Sequence, residues 1–314
     1  MLQYLDYVWA VYEEKSFTRA AERLFISQPA LSATIKKEEE RLNIKIFDRT
    51  TSIISLTQEG EAYIDAVKKI RAVEREFENK IMDIASLHTG SITVSGANFI
   101  SSFVLSRIIE KFSTKYPGIK IKLLESNSKE LEDFLLREQA DILLDYAYNE
   151  SLIDAELLLE EQVLLALPGT FKINNELKQK RLTAKDIINN KHLKKNCPCV
   201  DLKILENENF LILKSGNSMN EIAGKLFDEY GIKPKISMQL DQLMTAYNMC
   251  SLGMGATFTS DILVKSVPDS KTVYYYKIDS KNAVRSLFIE YKKNKHKNKA
   301  MQKFAETAKE LYSN

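Results

Sequence analysis

Residues 58 to 87 form one uninterrupted helical pattern, and this long helix divides the chain into three parts. Residues 1 to about 57 show short helical patterns separated by polar turns. After His88-Thr89-Gly90 the chain alternates strand and helix patterns, which predicts a mainly parallel sheet with helices packed on it. The sequence therefore predicts a small α-helical module, a connecting helix and a large α/β body.

Length and charge limit the class of protein. The 314 residues correspond to about two domains of roughly 150 residues each. The 45 lysine and arginine residues nearly balance the 43 aspartate and glutamate residues, so any contact with nucleic acid has to be local. No stretch approaches the roughly 18 apolar residues of a membrane-spanning helix, and the first residues lack the features of a signal peptide. A cytoplasmic location is expected.

The connecting helix carries one apolar stripe along a charged rod. Thr57 is a good N-cap, and Glu59 and Glu61 follow in the first turn, where the helix dipole favours carboxylates. A helix of about 30 residues spans roughly 45 Å, which is longer than the preceding module can cover. Packing on its own domain is the alternative, but the length favours dimerisation. The residues expected at the dimer interface are Ile70, Phe77, Ile81 and Ile84.

The body shows two series of strands and helices, which predict two lobes with a cleft between them. The first series has strands at 91–95, 119–125 and 142–144 and helices at 101–116 and 128–138. The second has strands at 163–167, 210–213 and 235–240 and helices at 219–230 and 242–252. One lobe is expected to cover about 90–166 with 268–314, and the other about 167–267.

A helix-turn-helix is predicted near the start of the chain. Thr18 can cap a first helix, in which Ala20 and Ala21 are small enough for another helix to cross closely. Ser27 can cap the second helix, and Pro29 fits its first turn, where a missing N–H costs nothing.

The second helix has the residue types of a major-groove surface. Leu31 and Ile35 are expected on its buried side. Glutamine can read adenine edges, proline and alanine can contact thymine methyl groups, and serine and lysine can hold phosphates. An ordinary helical hairpin with a solvated polar face is the alternative. The run Glu38–Glu40 is expected at the end of the helix away from DNA, because it would repel phosphates. The outward residues are Gln28, Ala30, Ser32, Ala33, Lys36 and Lys37.

Four sequence blocks closely resemble those of the LysR-type transcriptional regulators, in the same order and spacing. The match covers about residues 1 to 66, with a weaker similarity over the rest. It implies a winged helix-turn-helix, a linker helix that dimerises, and a two-lobed effector domain resembling type 2 periplasmic binding proteins. It also implies self-association as a dimer or tetramer. The blocks are Ser16-Phe17-Thr18-Arg19-Ala20-Ala21, Ser27-Gln28-Pro29-Ala30-Leu31-Ser32, Phe47-Asp48-Arg49 and Leu56-Thr57-Gln58-Glu59-Gly60.

The resemblance also implies roles for single residues. Thr18, Gln28, Pro29 and Ser32 fall on DNA-contacting positions, and Arg49 falls on the wing residue that reaches the backbone or minor groove. The chain departs from the family at Ala33, where many members carry a basic residue, and at Thr51 and Ser52, where a second basic wing residue is usual. The residues expected at the DNA are Thr18, Ser27, Gln28, Pro29, Ala30, Ser32, Ala33, Lys36 and Arg49.

Three polar segments at helix starts in the body are candidates for a ligand site. Backbone N–H groups at helix starts attract anions, so a small polar metabolite, expected to be anionic, would fit there. N-capping by serine and asparagine is the alternative. The resemblance independently places the family's effector site at these turns. The segments are Asn98, Phe99, Ile100, Ser101 and Ser102; Asn127 and Ser128; and Gly216, Asn217 and Ser218.

No metal and no cofactor are expected. His192, Cys197 and Cys199 offer soft ligands, but a four-ligand set and a zinc-knuckle spacing are missing. The lysine-rich stretch 292–299 is expected to be a solvated turn rather than a nucleic-acid patch. The segment 172–199 is longer than in most LysR-type relatives and is either an added helical excursion or a lid.

These features predict a sequence-specific DNA-binding transcriptional regulator whose activity a small co-inducer between the lobes modulates. A solute-binding module without a DNA role is the alternative. Catalysis is not expected, because phosphate-loop and nucleophile motifs are missing and the three histidines lie scattered. The expected domains are 1–57 for DNA binding, 58–88 for the linker helix and 89–314 for the effector.

Overall fold

The computed structural model describes residues 2–48, 54–84, 90–126, 128–268 and 271–312, of which 2, 3, 75, 76, 78–84, 128 and 129 are described by their backbone alone. The chain forms two compact units, Met1–Ile81 and Met82–Asn314. Within the described residues, no helix is both long enough and apolar enough to cross a membrane.

The first unit is a winged helix-turn-helix followed by a long helix, as the sequence predicts. The two short strands pair antiparallel to form the base of the wing. Arg49, Thr51 and Ser52 of the expected wing lie outside the described residues. The elements are α1 (Leu2–Glu14), α2 (Phe17–Arg23), α3 (Gln28–Leu42), β1 (Phe47–Asp48), β2 (Ser55–Leu56) and α4 (Gln58–Ile84).

Helix α2 begins two residues earlier than predicted. Its N-cap is Ser16, whose Oγ accepts a hydrogen bond from the Arg19 backbone N–H at 3.3 Å. Ser16 has the extended backbone that an N-cap needs, so the prediction that Thr18 caps this helix is wrong. Ser27 caps α3 as predicted, accepting from the Ala30 N–H at 3.4 Å.

The first half of α4 packs on its own domain. Thr57 caps the helix as predicted, because its Oγ1 accepts from the Gly60 N–H at 2.9 Å. Gly60 lies so close to the wing that a Cβ there would be 2.0 Å from the carbonyl oxygen of Ile46. Ile64 and Val67 are buried in the helix-turn-helix core. This half of the helix is therefore part of the DNA-binding unit.

The second unit is an α/β structure. Its strands are β3 (Gly90–Gly96), β4 (Ile119–Glu125), β5 (Ile142–Asp145), β6 (Ile153–Pro168), β7 (Cys199–Val200), β8 (Asn209–Leu213), β9 (Lys235–Leu240), β10 (Thr257–Ser260), β11 (Val273–Ile278) and β12 (Val284–Lys292). Its helices are α5 (Asn98–Ile100), α6 (Ser106–Lys115), α7 (Ser128–Leu136), α8 (Ala184–Ile188), α9 (Ser218–Tyr230), α10 (Leu243–Ser251), α11 (Asp261–Ser266) and α12 (Lys299–Tyr312). A π-helical turn, Ser101–Leu105, joins α5 to α6.

The main sheet is mixed, whereas the sequence predicts a mainly parallel one. Its order is β4-β3-β5-β12-β6-β11-β7, and β10 also pairs with β6. Strands β3, β4 and β5 are parallel, but β12 runs antiparallel to both β5 and β6. Strand β6 begins at Ile153, ten residues before the predicted strand at 163–167. Its first half is partly exposed and rich in glutamate, so only its apolar second half resembled a buried strand.

Strand pairing sets the boundary between the two lobes. Strand β6 pairs with β12 up to Gln162, and from Val163 onward it pairs with β10 in the second lobe. Strand β11 also pairs with the second half of β6. The second half of β6, from Val163 onward, thus belongs with β10 and β11 by strand pairing.

The segment 172–199 packs against the second lobe. Leu177, Leu182 and Ile187 are buried, and Leu182 pairs with Tyr275 of β11 in an isolated antiparallel bridge. His192 is fully buried, with its Nε2 3.1 Å from Asp261 Oδ2. Of the two alternatives left open by the sequence, the packing favours a helical excursion over a lid.

Candidate DNA-binding and ligand-binding sites

Helix α3 presents a polar face to solvent. Leu31 and Ile35 are buried, as predicted, and fix the helix on the domain core. Gln28, Ser32 and Lys36 follow one another at intervals of four, which places them on one side of the helix. Of the residues expected at the DNA, Ser32 is half-buried, and those that are exposed are Thr18, Ser27, Gln28, Pro29, Ala30, Ala33 and Lys36.

The acidic run at the end of α3 is partly internal, which the sequence analysis did not foresee. Glu38 is buried and makes a bidentate ion pair with Arg41, at 2.7 and 2.8 Å. Tyr63 of α4 donates a hydrogen bond to the same carboxylate at 3.1 Å. The hydrogen bond from Arg41 lowers the pKa of Glu38, so this carboxylate is ionised and already matched by a cation.

Glu39 connects the recognition helix to the wing. It is 3% exposed, and its Oε1 accepts hydrogen bonds from the backbone N–H groups of Ile46, at 2.7 Å, and Phe47, at 3.3 Å. These bonds hold the start of β1 against the end of α3. Of the three glutamates only Glu40 is exposed, and its carboxylate lies 3.7 Å from Lys36 Nζ.

The turn between α2 and α3 holds an apolar side chain that the sequence analysis did not single out. Phe25 has a φ of 55° and is 95% exposed. Such a backbone conformation is uncommon for a bulky residue, and a Phe ring is more often buried. Phe25 lies just before Ser27 and Gln28, which begin α3, and this position is the sequence signal that could have identified it.

A cleft of about 460 Å³ lies between the two lobes of the second unit. It contains parts of two of the three predicted ligand segments. From the first segment, Asn98, Phe99 and Ile100 line it; from the third, Gly216, Asn217 and Ser218 do. Asn127 of the middle segment lies outside the described residues, and the side chain of Ser128 is not described.

Ser101 and Ser102 are not among the described residues that line the cleft. The Ser101 side chain is buried and donates to the Gly96 carbonyl oxygen at 3.1 Å. The helix begins at Asn98, three residues before the predicted start, so Ser101 lies inside it rather than at its first turn. Ser101 and Ser102 therefore stay predicted ligand contacts that rest on the family resemblance alone.

The start of α9 is capped by its own side chain. Asn217 is the N-cap, and its Oδ1 accepts from the Met219 N–H at 3.0 Å. The N–H groups of Asn220 and Glu221 bond to the Asn217 carbonyl oxygen, at 2.9 and 3.3 Å. The alternative reading, N-capping, therefore describes what Asn217 does in this structure.

A buried arginine forms part of the cleft wall and bonds to both lobes. Arg285 of β12 makes an ion pair with Glu161 of β6. Its Nη1 donates to Ser218 Oγ at 2.8 Å, and its Nη2 donates to the Tyr146 hydroxyl at 3.2 Å. Ser260 Oγ also donates to Glu161, at 2.9 Å. Burial lowers the pKa of Arg285, but the charges of Glu161, Tyr146 and Asp145 and the hydrogen bond to Glu161 together outweigh it, so the net shift is upward and the guanidinium stays charged.

Sequence reasoning missed the charged residues of the cleft. Glu125 is the last residue of β4, Asp145 the last residue of β5, and Asp241 follows the end of β9. Parallel strands end at the same edge of a sheet, so β4 and β5 bring Glu125 and Asp145 to one rim. A search for acidic residues at the last position of a predicted strand or directly after it could have found all three.

The predicted dimerisation residues differ in their surroundings. Ile70 packs against the helix-turn-helix core of its own chain. Phe77 is 64% exposed, and Val73, one turn before it, is 66% exposed. The side chains of Ile81 and Ile84 lie outside what the structure describes.

Two other sequence features have structural partners. Lysines of the stretch 292–299, expected to be solvated, make ion pairs: Lys292 with Glu138, Lys295 with Asp141 and Lys297 with Glu156. Cys197 is buried, and burial raises its pKa. Within the part of the chain that the structure describes, no three His, Cys, Asp or Glu side chains are grouped so that they could hold a metal ion.

Comparison with known proteins identifies both units. Residues 2–61 match the family model for the bacterial regulatory helix-turn-helix protein of the lysR family, and residues 85–313 match the LysR substrate binding domain. A probable RuBisCO transcriptional regulator of Phaeodactylum tricornutum is 29% identical over 99% of this chain and 96% of its own. The uncharacterized HTH-type transcriptional regulator YcgK of Bacillus subtilis is 26% identical, covering 98% of this chain and 94% of the relative.

Solved structures share the fold at low sequence identity. Full-length CbnR, crystallised with its target DNA, superposes with a TM-score of 0.69 at 18% identity, over 99% of each chain. A full-length OxyR from Pseudomonas aeruginosa gives the same TM-score at 19% identity, over 98% of this chain and 97% of that one. Together, the two family models cover nearly the whole sequence. The chain therefore belongs to the LysR family of transcriptional regulators, with an N-terminal helix-turn-helix DNA-binding domain and a C-terminal two-lobed effector-binding domain.

Proposed function

We propose that the chain binds double-stranded DNA sequence-specifically as a homodimer, and that a small molecule in the interlobe cleft modulates this binding. The observation that carries the proposal is the polar face of α3. Gln28 and Lys36 are exposed on it, while Leu31 and Ile35 anchor the opposite side. The structure of CbnR with its target DNA supports the same use of this fold here.

The residues proposed at the DNA have distinct roles. Gln28 reads a base edge, and Pro29 and Ala30 contact thymine methyl groups. Ser27, Ser32 and Lys36 hold phosphates, and so fix the register of the helix on the duplex. Thr18 and Arg49 stay proposals that rest on the family resemblance, and Ala33 is proposed from its exposed position on α3.

Among the residues that the structure describes, few cations at this surface are available for phosphate. Arg19 donates to the Glu14 carbonyl oxygen at 2.6 Å, and Arg23 pairs with Glu13 at 2.6 Å, so both bind α1. Lys36 and Lys37 remain exposed on α3. With so few placed cations in one module, two modules acting together would supply the affinity.

We propose that the second half of α4 supplies the dimer contact. Val73 and Phe77 are spaced by four and lie on one side of the helix, and both are about two-thirds exposed in the single chain. Ile81 and Ile84 continue the same stripe in the sequence. Ile70 is left out of the proposed interface because it packs on its own domain.

In the effector domain, Arg285 is the proposed link between ligand and lobe arrangement. It bonds to Glu161 and Tyr146 on one side of the cleft and to Ser218, at the first turn of α9, on the other. A ligand that contacts Ser218 or Arg285 changes the balance between lobe arrangements. Such a ligand regulates only to the extent that it binds one arrangement more tightly than the other.

The relatives found are transcriptional regulators. We propose that this chain regulates transcription without a catalytic step. We also propose that it acts in the cytoplasm, where the DNA of a bacterial-type regulator lies.

The direct test is a mobility-shift assay with DNA from upstream of the chain's own gene. A retarded band that survives excess non-specific competitor is expected. Binding no stronger than that to scrambled DNA of equal length contradicts the proposal.

A further inference from the structure

Phe25 ends helix α2 in a backbone conformation that favours glycine. The N–H groups of Phe25 and Ile26 bond to the carbonyl oxygens of Glu22, at 3.1 Å, and Ala21, at 3.0 Å, which is the Schellman arrangement of a helix C-terminus. The residue at this point of the motif takes a positive φ, which for Phe25 is 55°. Glycine occupies it most often, because it has no Cβ to resist a left-handed backbone. The turn therefore forms in spite of the residue type at position 25.

The side chain of Phe25 does not stabilise the fold. Its ring is 95% exposed, and among the described residues it is not part of the apolar core of the first unit. Ile26, the next residue, packs on that core instead. A left-handed phenylalanine costs conformational energy, and an exposed ring gains no burial energy to offset that cost. Folding alone gives no reason for an aromatic residue here, and such strained positions cluster at functional sites.

Phe25 lies beside the part of α3 that approaches DNA. Ser27, Gln28 and Pro29 follow it within four residues, and all three are exposed. In a helix-turn-helix, the start of the second helix contacts base edges in the major groove. Consecutive Cα atoms are 3.8 Å apart, so the Cα atoms of Phe25 and Gln28 are separated by at most about 11 Å. The Phe25 ring is therefore continuous with the DNA-binding surface, and DNA is the molecule that covers it.

A phenylalanine ring can contact DNA only through apolar groups. It has no hydrogen-bond donor for phosphate. Arg23, the cation that precedes it most closely in the sequence, pairs with Glu13 and Glu14 of α1, at 2.6 and 3.3 Å. Duplex DNA offers two apolar groups near the edge of the major groove, the thymine 5-methyl group and the carbons of deoxyribose. Either one suits an exposed aromatic ring.

We propose that Phe25 is a further DNA-contacting residue. Its ring packs on a thymine methyl group or on deoxyribose carbons, next to the base that Gln28 contacts. This inference rests on the proposed binding of DNA by α3, and it adds an apolar contact made by the turn that precedes the helix. Phe25 then lowers the stability of the free protein and raises the affinity of the complex.

The first test compares the full chain with three variants at position 25. Phe25→Gly and Phe25→Asn remove the ring and introduce residues that tolerate a left-handed backbone, whereas Phe25→Tyr keeps the ring. At fixed salt, the first two should bind the duplex from upstream of the chain's own gene at least about fivefold more weakly than the wild type. Phe25→Tyr should bind within about twofold of the wild type. Phe25→Gly should also unfold at a higher urea concentration, because it relieves the backbone strain.

The matched control is Asn43→Gly. Asn43 ends α3 with a φ of 53° and is exposed, so this variant places glycine at a second left-handed position of the same unit. Helix α3 has 15 residues and spans about 22 Å, so Asn43 is remote from the proposed contact. Asn43→Gly should bind DNA as the wild type does. A Phe25→Gly protein that is folded by circular dichroism and binds DNA as tightly as the wild type overturns the inference.

Salt dependence and base chemistry identify the contact. An apolar contact releases no counterions, so the wild type and Phe25→Gly should share one slope of log K against log salt, and a smaller slope for the variant overturns the inference. Replacing each thymine in turn by uracil removes one methyl group. A position at which the wild type loses up to about fourfold and Phe25→Gly loses nothing identifies a methyl contact. Sensitivity at no position, with Phe25→Gly still weaker, identifies deoxyribose.

Two comparisons separate this inference from the proposed function. A wild-type protein that does not prefer the upstream duplex over a scramble of equal length contradicts the proposed function, and this inference fails with it. A wild-type preference that Phe25→Gly leaves unchanged contradicts this inference alone. If that variant binds DNA normally but no longer regulates transcription by purified polymerase, the ring contacts a protein, and the DNA assignment is wrong.

Discussion

Arg285 donates a hydrogen bond to Ser218 Oγ at 2.8 Å, and so joins β12 to the first turn of α9 across the effector cleft. The same guanidinium lies 3.9 Å from the centroid of the Tyr146 ring and makes an ion pair with Glu161. Glu161 has no exposed side-chain surface, so Arg285 is the cation that makes its ionised form tolerable there.

Removing this cation should be costly. We expect Arg285→Met to destabilise the effector domain by about 3–5 kcal/mol, because it leaves the carboxylate of Glu161 buried without its partner. Ser218→Ala removes one hydrogen bond and should cost only about 1 kcal/mol. Urea unfolding followed by circular dichroism measures both. Equal, small losses in the two variants would contradict the assigned role of Arg285.

Glu290 should make the stability of the effector domain depend on pH. Burial raises its pKa to about 9 in the folded state, against an ordinary value of 4.5, so the folded protein holds a proton that the unfolded chain releases. Its contribution is fully present below about pH 4.5 and is lost as the pH rises toward 9, at about 1.4 kcal/mol per pH unit.

Glu290→Gln should remove that slope. The uncharged amide has no ionised form to stabilise the unfolded chain, so the urea midpoint of this variant should vary less between pH 5 and 9 than that of the wild type. Glu176 is exposed, so Glu176→Gln serves as the control and should follow the wild type. A wild-type profile that Glu290→Gln leaves unchanged would show that Glu290 is not the titrating group.

Glu39 should stabilise the DNA-binding unit through the wing. Glu39→Ala leaves the N–H groups of Ile46 and Phe47 without their acceptor, which should cost about 1–3 kcal/mol. Trp9, the one tryptophan of the sequence, is in this unit, so its fluorescence reports unfolding of this unit selectively. Glu40 is exposed, so Glu40→Ala is the control variant. If Glu39→Ala loses no more stability than Glu40→Ala, Glu39 does not connect α3 to the wing.

Phe77 should control self-association. We expect Phe77→Asp, alone or with Val73→Asp, to give monomers with weak DNA binding, because each apolar side chain buried between subunits contributes roughly 1.5–3 kcal/mol. Sedimentation velocity measures the oligomeric state. Glu74→Ala, on the charged side of the same helix, should remain dimeric. A dimeric Phe77→Asp protein would show that another surface forms the main interface.

Local spacing was enough to predict the two helices of the helix-turn-helix, whereas the wing and the DNA-binding role came from the family resemblance. The buried pair Leu31 and Ile35 and the caps Ser27 and Thr57 follow from helix periodicity and hydrogen-bonding chemistry that act within a few residues. The exact start of α2 could not be predicted from the sequence, because Ser16 and Thr18 are both good caps. In the structure Phe17 is buried in the core, which fits a helix that begins after Ser16.

The chemistry of the cleft depends on contacts between distant residues. Asp145 and Glu125 come together through the parallel pairing of β3 with its two neighbours, and Arg285 meets Glu161 through the antiparallel pairing of β12 with β6. In the sequence each is an ordinary charged residue. The first half of β6 was not predicted as a strand, because its glutamates interrupt the apolar pattern that is used to predict strands.

The measurement that tests the central claim most directly is a fluorescence anisotropy titration of the wild type and Gln28→Ala against two duplexes at fixed salt. One duplex carries the sequence bound upstream of the chain's own gene, and the other is a scramble of equal length. Gln28→Ala should lose about 1–3 kcal/mol on the first duplex and little on the second, because a base contact specifies sequence. Lys36→Ala should weaken both duplexes alike, as the loss of a phosphate contact does. An unchanged affinity of Gln28→Ala for the first duplex would contradict the account.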